Sequence, residues 1–248
     1  MLKRIFDLVL SLLLLIIAAP LMLFVSIVLP LTSPGPFLFR QVRAGRDFKP
    51  FRILKFRTMN HAEGGLAYTL GPDPRITPFG KWLRRTKIDE LPQLWNIVLG
   101  EMSFVGPRPV VTELTEEFHE EYKLLLRNRP GLTDPASLKY SQEAGLFIGM
   151  KYPFEAYKLV VVPDKLRISA LYMDAATPWT DLTTLLMTIL ICVFPTFSKV
   201  YGVVPFGCES GEAPREMRIE KLRQSMLAPW KVILGLYLVI QSTLRGVN

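Results

Sequence analysis

Cysteine and histidine are scarce: 248 residues hold only Cys192, Cys208, His61 and His119. Their positions show no ligand spacing, which argues against a zinc or iron–sulfur centre and implies no disulfide framework. A metal in the chemistry should then be a hard cation held by oxygen, such as Mg²⁺. The glycine-rich strand–turn–helix signature of dinucleotide sites is missing too, as are internal repeats and low-complexity tracts. Acidic residues are outnumbered, 22 against 30 basic, leaving a formal charge of +8. Such a balance suits an anionic partner: phospholipid headgroups, a diphosphate or nucleic acid, among which composition does not choose. What is abundant is apolar: 50% of the residues, with a mean hydropathy of +0.26, which points to a membrane element. The length has room for one domain and an anchor.

Residues 8–29 carry no charge and are mostly Leu, Ile and Val. Insertion at about 0.3–0.6 kcal/mol per strongly apolar residue is favourable by several kcal/mol. No small-residue cleavage site is evident, so a retained anchor is expected. Residues 5–29 as one helix would measure about 37 Å, enough for a core of about 30 Å. Pro20 interrupts it, removing a backbone donor and crowding the preceding turn. The arm from Ile5 to Ala19 would be only about 22 Å long. The segment therefore reads either as a re-entrant element, entering and leaving by one face, or as a kinked span. Lys3 and Arg4 precede it; Arg40, Arg43, Arg46, Lys49, Arg52, Lys55 and Arg57 follow, and basic flanks favour the cytoplasmic side.

Thr32-Ser33-Pro34-Gly35-Pro36 ends the anchor. Phe37 to Arg57 reads as two strands around Ala44-Gly45-Arg46, with Lys55 and Arg57 on one face. Residues 60–80 read as a loop, Gly80 to Arg85 as the start of a short helix, and Asp89-Glu90-Leu91-Pro92 as another helix start. Ser103 to Pro109 reads as a loop. Residues 112–127 predict one amphipathic helix with Leu114, Phe118, Tyr122 and Leu125 on a face. Leu182 to Phe194 is too short for a span and reads as a core or interfacial helix. Trp230 to Ile240 is a further interfacial candidate. The fold class expected is α+β: a mostly helical membrane-associated domain with a small β-hairpin or sheet. Its divisions are an anchor over 1–34, a catalytic domain over 35–200 and a C-terminal extension over 201–248.

Chemistry concentrates in Arg84-Arg85-Thr86-Lys87-Ile88-Asp89-Glu90-Leu91-Pro92-Gln93. One carboxylate could attack phosphorus and the other hold Mg²⁺. A helix N-terminus and adjacent cations are expected to keep Asp89 ionised. The plainer alternative is surface ion pairing. In Gly106-Pro107-Arg108-Pro109, two prolines restrict the backbone around one guanidinium, suiting it to a bidentate phosphate contact. Its alternative is a rigid turn whose arginine caps a helix.

These motifs occur with Lys3-Arg4-Ile5-Phe6-Asp7, Lys55-Phe56-Arg57-Thr58-Met59, Gly100 to Pro109, and Arg129-Pro130-Gly131-Leu132-Thr133. In this order they resemble the bacterial sugar transferases, the monotopic phosphoglycosyl transferases. The likeness is specific from residue 3 to about 133 and looser to about 198. It implies a re-entrant anchor in one leaflet, with the catalytic domain on the cytosolic face of the inner membrane. It implies that Asp89 attacks the β-phosphate of a UDP-sugar, releasing UMP, and that polyprenyl phosphate then takes the phosphosugar. Glu90, with Asp89, would hold Mg²⁺; Lys55, Arg57, Arg84, Pro107 and Arg108 would bind substrate. Nucleic acid is not an implied partner, and a homo-oligomer is left open. The sequence departs from the family at Ala19-Pro20, where a serine is usual before proline. It departs again at Lys87-Ile88 before the carboxylate pair, and at Asp134-Pro135-Ala136-Ser137. Two competing readings are a membrane adaptor binding anionic lipid or nucleic acid through its basic face, and a transferase using direct displacement.

Overall fold

The computed structural model describes residues 2–60, 73–141, 143–148 and 152–194. The expected interfacial helix at Trp230 and the whole extension over 201–248 lie outside them, as do His61 and Cys208.

Helix α1 runs from Leu2 to Thr32, with Pro20 and Pro30 inside it. The backbone stays helical through the expected break, giving a length of about 46 Å. Polar residues pin both ends to the rest of the chain. Near the start, the Arg4 guanidinium donates to the carbonyls of Ile97 (2.6 Å) and Val98 (2.8 Å). Asp7, buried, accepts from the Ser103 hydroxyl at 2.8 Å and the Phe104 N–H at 3.3 Å. Near the end, Val25 and Leu29 are buried with Phe56 and Leu83. Leu12, Leu13, Ile16, Ile17, Leu23 and Phe24 between them remain exposed.

The expected hairpin forms from β1 (Leu38–Ala44) and β2 (Pro50–Phe56), antiparallel, with a 3₁₀ turn at Arg46–Phe48. Asp47 and Phe48 take positive φ there. Cross-strand partners share a face of the sheet. Phe39 and Lys55, Gln41 and Ile53, and Arg43 and Phe51 therefore lie on one side; Leu38 and Phe56, and Arg40 and Leu54, lie on the other. The free edge of β2 is closed by a side chain. Asn96 accepts from the Leu54 N–H (3.0 Å) and donates to the Arg52 carbonyl (2.9 Å), so backbone groups without a third strand are satisfied.

Asn96 belongs to α3 (Gln93–Leu99), which follows α2 (Pro78–Thr86) and a 3₁₀ turn, Ile88–Glu90. Helix α2 begins two residues before the expected start, because Thr77 caps it through the Gly80 N–H at 2.9 Å and Pro78 suits the first turn. Ser103–Val105, expected as loop, is a buried strand, β3, paired parallel with β4 (Gly131–Thr133). Its three residues are too few for a periodic signal. The helix expected over 112–127 is two: α4 (Thr112–Glu117) and α5 (His119–Leu125), broken at Phe118. The break leaves the predicted face intact, since Leu114, Tyr122 and Leu125 are all buried.

Then come α6 (Pro135–Lys139), α7 (Pro153–Ala156), a π-helical turn at Tyr157–Val161, α8 (Val162–Asp174) and α9 (Pro178–Val193). Helix α9 is not a core helix. Its buried residues are Thr180 and Thr184, while Trp179, Leu182, Leu186, Met187, Ile189 and Val193 are exposed. The side that packs inward is the threonine side, and Thr188 bonds Thr133 at 2.8 Å. An apolar face turned outward beside α1, to which Lys3–Asp181 ties it, suits a lipid surface rather than water. The chain is thus an α+β, mostly helical, membrane-associated domain.

Candidate active site

The carboxylate pair sits on the 3₁₀ turn between α2 and α3. Lys87 reaches a left-handed conformation (φ 59°) to make that turn, and Ile88–Glu90 follow directly. Glu90 is the hub. Its Oε1 accepts from Lys55 Nζ at 3.0 Å and from the Arg108 guanidinium. Arg108 also donates to the Leu132 carbonyl at 2.7 Å, which fixes the Pro107–Pro109 loop against β4. Pro107 is buried, and its carbonyl accepts from the Gly131 N–H at 2.9 Å. Burial alone would push the Glu90 carboxyl up, but Arg108, Lys55 and Lys87 outweigh it and hold the group well below the usual range. Burial pulls the Lys55 ammonium down, with Glu90 opposing.

Asp89 is only 7% exposed, and its Oδ1 has no hydrogen-bond partner. The expectation is a carboxyl kept ionised by a helix end and neighbouring cations; the cations are present, and burial works against them. Asp89 lies on a short 3₁₀ turn ahead of α3, and burial, reinforced by Glu90, pushes its carboxyl up; Lys55, Lys87 and Arg84 oppose this only in part. A buried carboxylate oxygen without a partner is costly to keep, by about 1–3 kcal/mol or more. Such a group is retained where a ligand or reaction uses it. Gln93, four residues on and 1% exposed, has both amide atoms unpartnered as well.

Arg84 reaches the same area from α2. Its Nε donates to Thr58 Oγ1 at 2.8 Å and Nη2 approaches Met59 Sδ at 3.0 Å. Its charge acts on Asp89, and burial pulls the titration of its guanidinium down from the ordinary value. Arg57 has a different post from the one inferred for it. Its guanidinium donates to the carbonyls of Ser33 and Pro34, and to Gly35 at 3.3 Å. It follows the last residue of β2 and closes the exit of α1, where three carbonyls accept from its guanidinium. The structure therefore brings Lys55, Arg84 and Arg108 to the Asp89–Glu90 pair and commits Arg57 to the anchor.

Sequence reasoning singled out no role for Arg43, Gln93, Lys165 or Tyr157. Lys165 pairs with Glu143 and lies 5.3 Å from the rings of both Tyr140 and Tyr157. Its charge also bears on Arg108, so it belongs to the same electrostatic neighbourhood. None of these had a signal in the sequence; the hairpin register of the structure is what puts Arg43 on the side of Lys55.

Among the described residues, no group of three or more His, Cys, Asp or Glu side chains could hold a metal ion. Two carboxylates do fit Mg²⁺, which is commonly held by one or two of them with substrate phosphates and water completing the shell. The Asp89 oxygen without a hydrogen-bond partner would be a donor available to such an ion.

Beside the pair lies an apolar groove of about 540 Å³, lined by Leu15, Ala19, Met22 and Leu23 of α1, Leu38, Leu54 and Phe56 of the hairpin, and Pro92 and Trp95 at α3. Arg40 is the charged residue on its wall. Pro92 follows Asp89 by three residues, so the groove opens about one helical turn from the carboxylates.

The site thus joins a carboxylate pair and converging cations to an apolar anchor helix. The model of the bacterial sugar transferase family matches residues 1–195. The chain belongs to that family, and so to the transferases. It is 43% identical over 151 residues to the exopolysaccharide production protein PSS of Rhizobium leguminosarum bv. phaseoli, covering 56% of this chain and 74% of that protein. It is 39% identical over 194 residues to the UDP-glucose:undecaprenyl-phosphate glucose-1-phosphate transferase of Caulobacter vibrioides, covering 75% of this chain and 68% of the relative. The Escherichia coli K12 protein of the same name is 41% identical over 143 residues, and the match spans only 31% of its length.

Proposed function

We propose that this protein moves a sugar-1-phosphate from a UDP-sugar to a polyprenyl phosphate, starting glycan assembly at the cytosolic face of the bacterial inner membrane. The observation that carries this reading is Asp89: buried, unpartnered at Oδ1, and ringed by Lys55, Arg84 and Lys87 beside an apolar groove. The relatives named for transfer to undecaprenyl phosphate support the substrate classes.

In the first step an Asp89 oxygen attacks the β-phosphorus, an aspartyl–phosphorus bond forms, and the bond to the α-phosphate bridging oxygen breaks, releasing UMP. In the second, a phosphate oxygen of the lipid attacks the same phosphorus and the aspartyl bond breaks, regenerating the carboxylate. Covalent catalysis lets a water-soluble donor and a lipid acceptor use one site in turn. Arg84, Lys55 and Arg108 would stabilise negative charge on the transferring group. Mg²⁺ held by Asp89 and Glu90 would neutralise phosphate charge and offset the burial that disfavours the Asp89 carboxylate.

Tethering of both ends of α1 to one domain, through Arg4 and Asp7 at one end and Arg57 at the other, supports an anchor held at one face of the membrane rather than a span. Ends held on one body do not reach opposite sides of a bilayer while that body stays on one side. The groove along α1 then suits the first isoprene units of the acceptor, with Arg40 available to its phosphate.

Incubation with a panel of UDP-sugars, without acceptor, is the test. One sugar should give a single turnover of UMP and a phosphosugar adduct on the protein, and EDTA should suppress both. UMP appearing only when undecaprenyl phosphate is present would favour direct displacement. For the groove, Ala19→Trp should raise the KM for undecaprenyl phosphate roughly tenfold, equivalent to about 1.4 kcal/mol. Donor-only UMP release should not change. An unchanged acceptor KM would remove the groove from the acceptor's path.

A further inference from the structure

Arg43 is a half-buried cation to which no role has been assigned, and its surroundings are unusual. Of the cations around the carboxylates, Lys55 and Arg108 share Glu90, Lys165 has Glu143, and Arg84 is held by Thr58 and Met59. Arg43 donates from Nη2 to the Gln41 side-chain oxygen at 2.5 Å, and its Nε is buried with no hydrogen-bond partner. Among the described residues no carboxylate lies within ion-pairing distance of it. One amide oxygen serves a fork of five donors poorly, and the buried donor left over is costly.

The hairpin says where this guanidinium lies. Arg43, Gln41 and Phe39 alternate along β1 on the side of Lys55, and the bond to Gln41 leans the guanidinium along that side toward Lys55. The next residue, Ala44, donates its N–H to the Val110 carbonyl at 3.2 Å, two residues after Arg108. Burial first, and then the Arg108 charge, pull the Arg43 guanidinium down to about 10, so it remains charged at neutral pH beside a like charge. Arg108 has Glu90, which it shares with Lys55, while Arg43 has no ion-pair partner among the described residues, so the two neighbouring guanidiniums suit a further anion. The acceptor groove is lined by Leu38, Arg40, Leu54 and Phe56, which occupy the other side of the hairpin.

We infer that Arg43 is a substrate-positioning residue that binds a phosphoryl oxygen of the nucleotide donor's diphosphate, together with Arg108, on the side of the hairpin away from the lipid groove. The inference rests on the proposed transferase reading and extends it. The donor approaches along the Arg43–Lys55 face, and the acceptor along the α1 face. A lipid phosphate offers the same chemistry, so the test separates the two.

The experiment compares wild type, Arg43→Gln and Arg43→Lys in detergent, titrated calorimetrically with UDP and with uridine, and assayed for UMP release while each substrate is varied. Arg43→Gln should weaken UDP about tenfold or more, the size expected for losing a charge-assisted phosphate contact. Arg43→Lys should restore part of that, and uridine binding should be the same in all three. The KM for the UDP-sugar should rise with that for undecaprenyl phosphate unchanged. A purely structural arginine would lower kcat and melting temperature without this KM split. UDP affinity within about twofold of wild type in Arg43→Gln, while wild type releases UMP, overturns the assignment and leaves the transferase reading intact. A rise confined to the acceptor KM overturns it in favour of the lipid phosphate. Wild type that neither binds UDP nor releases UMP removes both.

Discussion

Asp89→Asn should abolish UMP release, by on the order of 10³-fold or more, and no phosphosugar should remain on the protein. The amide nearly matches the carboxylate in shape, so the turn at Ile88–Glu90 and its contacts should persist. It cannot form a stable bond to phosphorus. The folded protein should be as stable as wild type near neutral pH, or more so. The sign follows from the direction of the shift. Burial holds the folded Asp89 carboxyl above its unfolded value. The unfolded chain therefore releases that proton first as pH rises, stability falls between the two pKa values, and above the folded value the full penalty is present. Asparagine carries no such penalty. Lost activity with an unchanged or raised melting temperature would separate a nucleophile from a structural carboxylate. Substantial UMP release by the variant would remove the covalent step, and the adaptor reading would gain if membrane binding alone persisted.

Gly131→Ala should destabilise the domain by about 3 kcal/mol, the upper range for forcing a methyl into a packed interior. A Cβ there would overlap the Gly106 backbone nitrogen, oxygen and Cα, none of which can swing aside as a side chain can. The two segments are held together by the pairs Ser103–Gly131 and Val105–Thr133 and by Gly106 N–H donating to Thr133 at 3.0 Å. At this size the shift should be roughly 6–12 °C in Tm. Arg108 should suffer beyond the stability loss, because its guanidinium leans on the Leu132 carbonyl, one residue away. The variant, assayed well below its melting point, should show a raised donor KM. A melting curve superimposable on wild type would mean that the β3–β4 contact is looser than described.

The spacing of charged residues carried the candidate site. Asp89 and Glu90 are adjacent in sequence, and Arg84 lies in the last turn of α2 just upstream, so local structure alone keeps them together. Arg108 was legible as a rigidly presented guanidinium because two prolines flank it. The hairpin was legible from its turn and flanking runs. Ser103–Val105 was not: a three-residue strand shows no alternation, and its partner is nearly thirty residues away. The break at Phe118 was hidden because α4 and α5 keep their apolar residues in phase across it.

Arg57 and Arg43 mark the boundary between the two kinds of information. Both are basic residues in the same basic stretch, and sequence reasoning favoured Arg57 because it alternates with Lys55. The chain passes the end of β2 before Arg57, and the exit of α1 places three carbonyls around its guanidinium. Arg43, twelve residues from Lys55, comes to the same side because the hairpin folds back in that register. The sequence by itself determined the anchor's hydrophobicity, the carboxylate pair and the residue types that meet phosphate, since these depend on composition and short spacing. Tertiary structure alone decided which cations reach Glu90, that Asp89 is buried with an unpartnered oxygen, and that both ends of α1 rest on one domain. Burial and charge proximity are sums over residues far apart in the chain, and only the packed fold sets those distances.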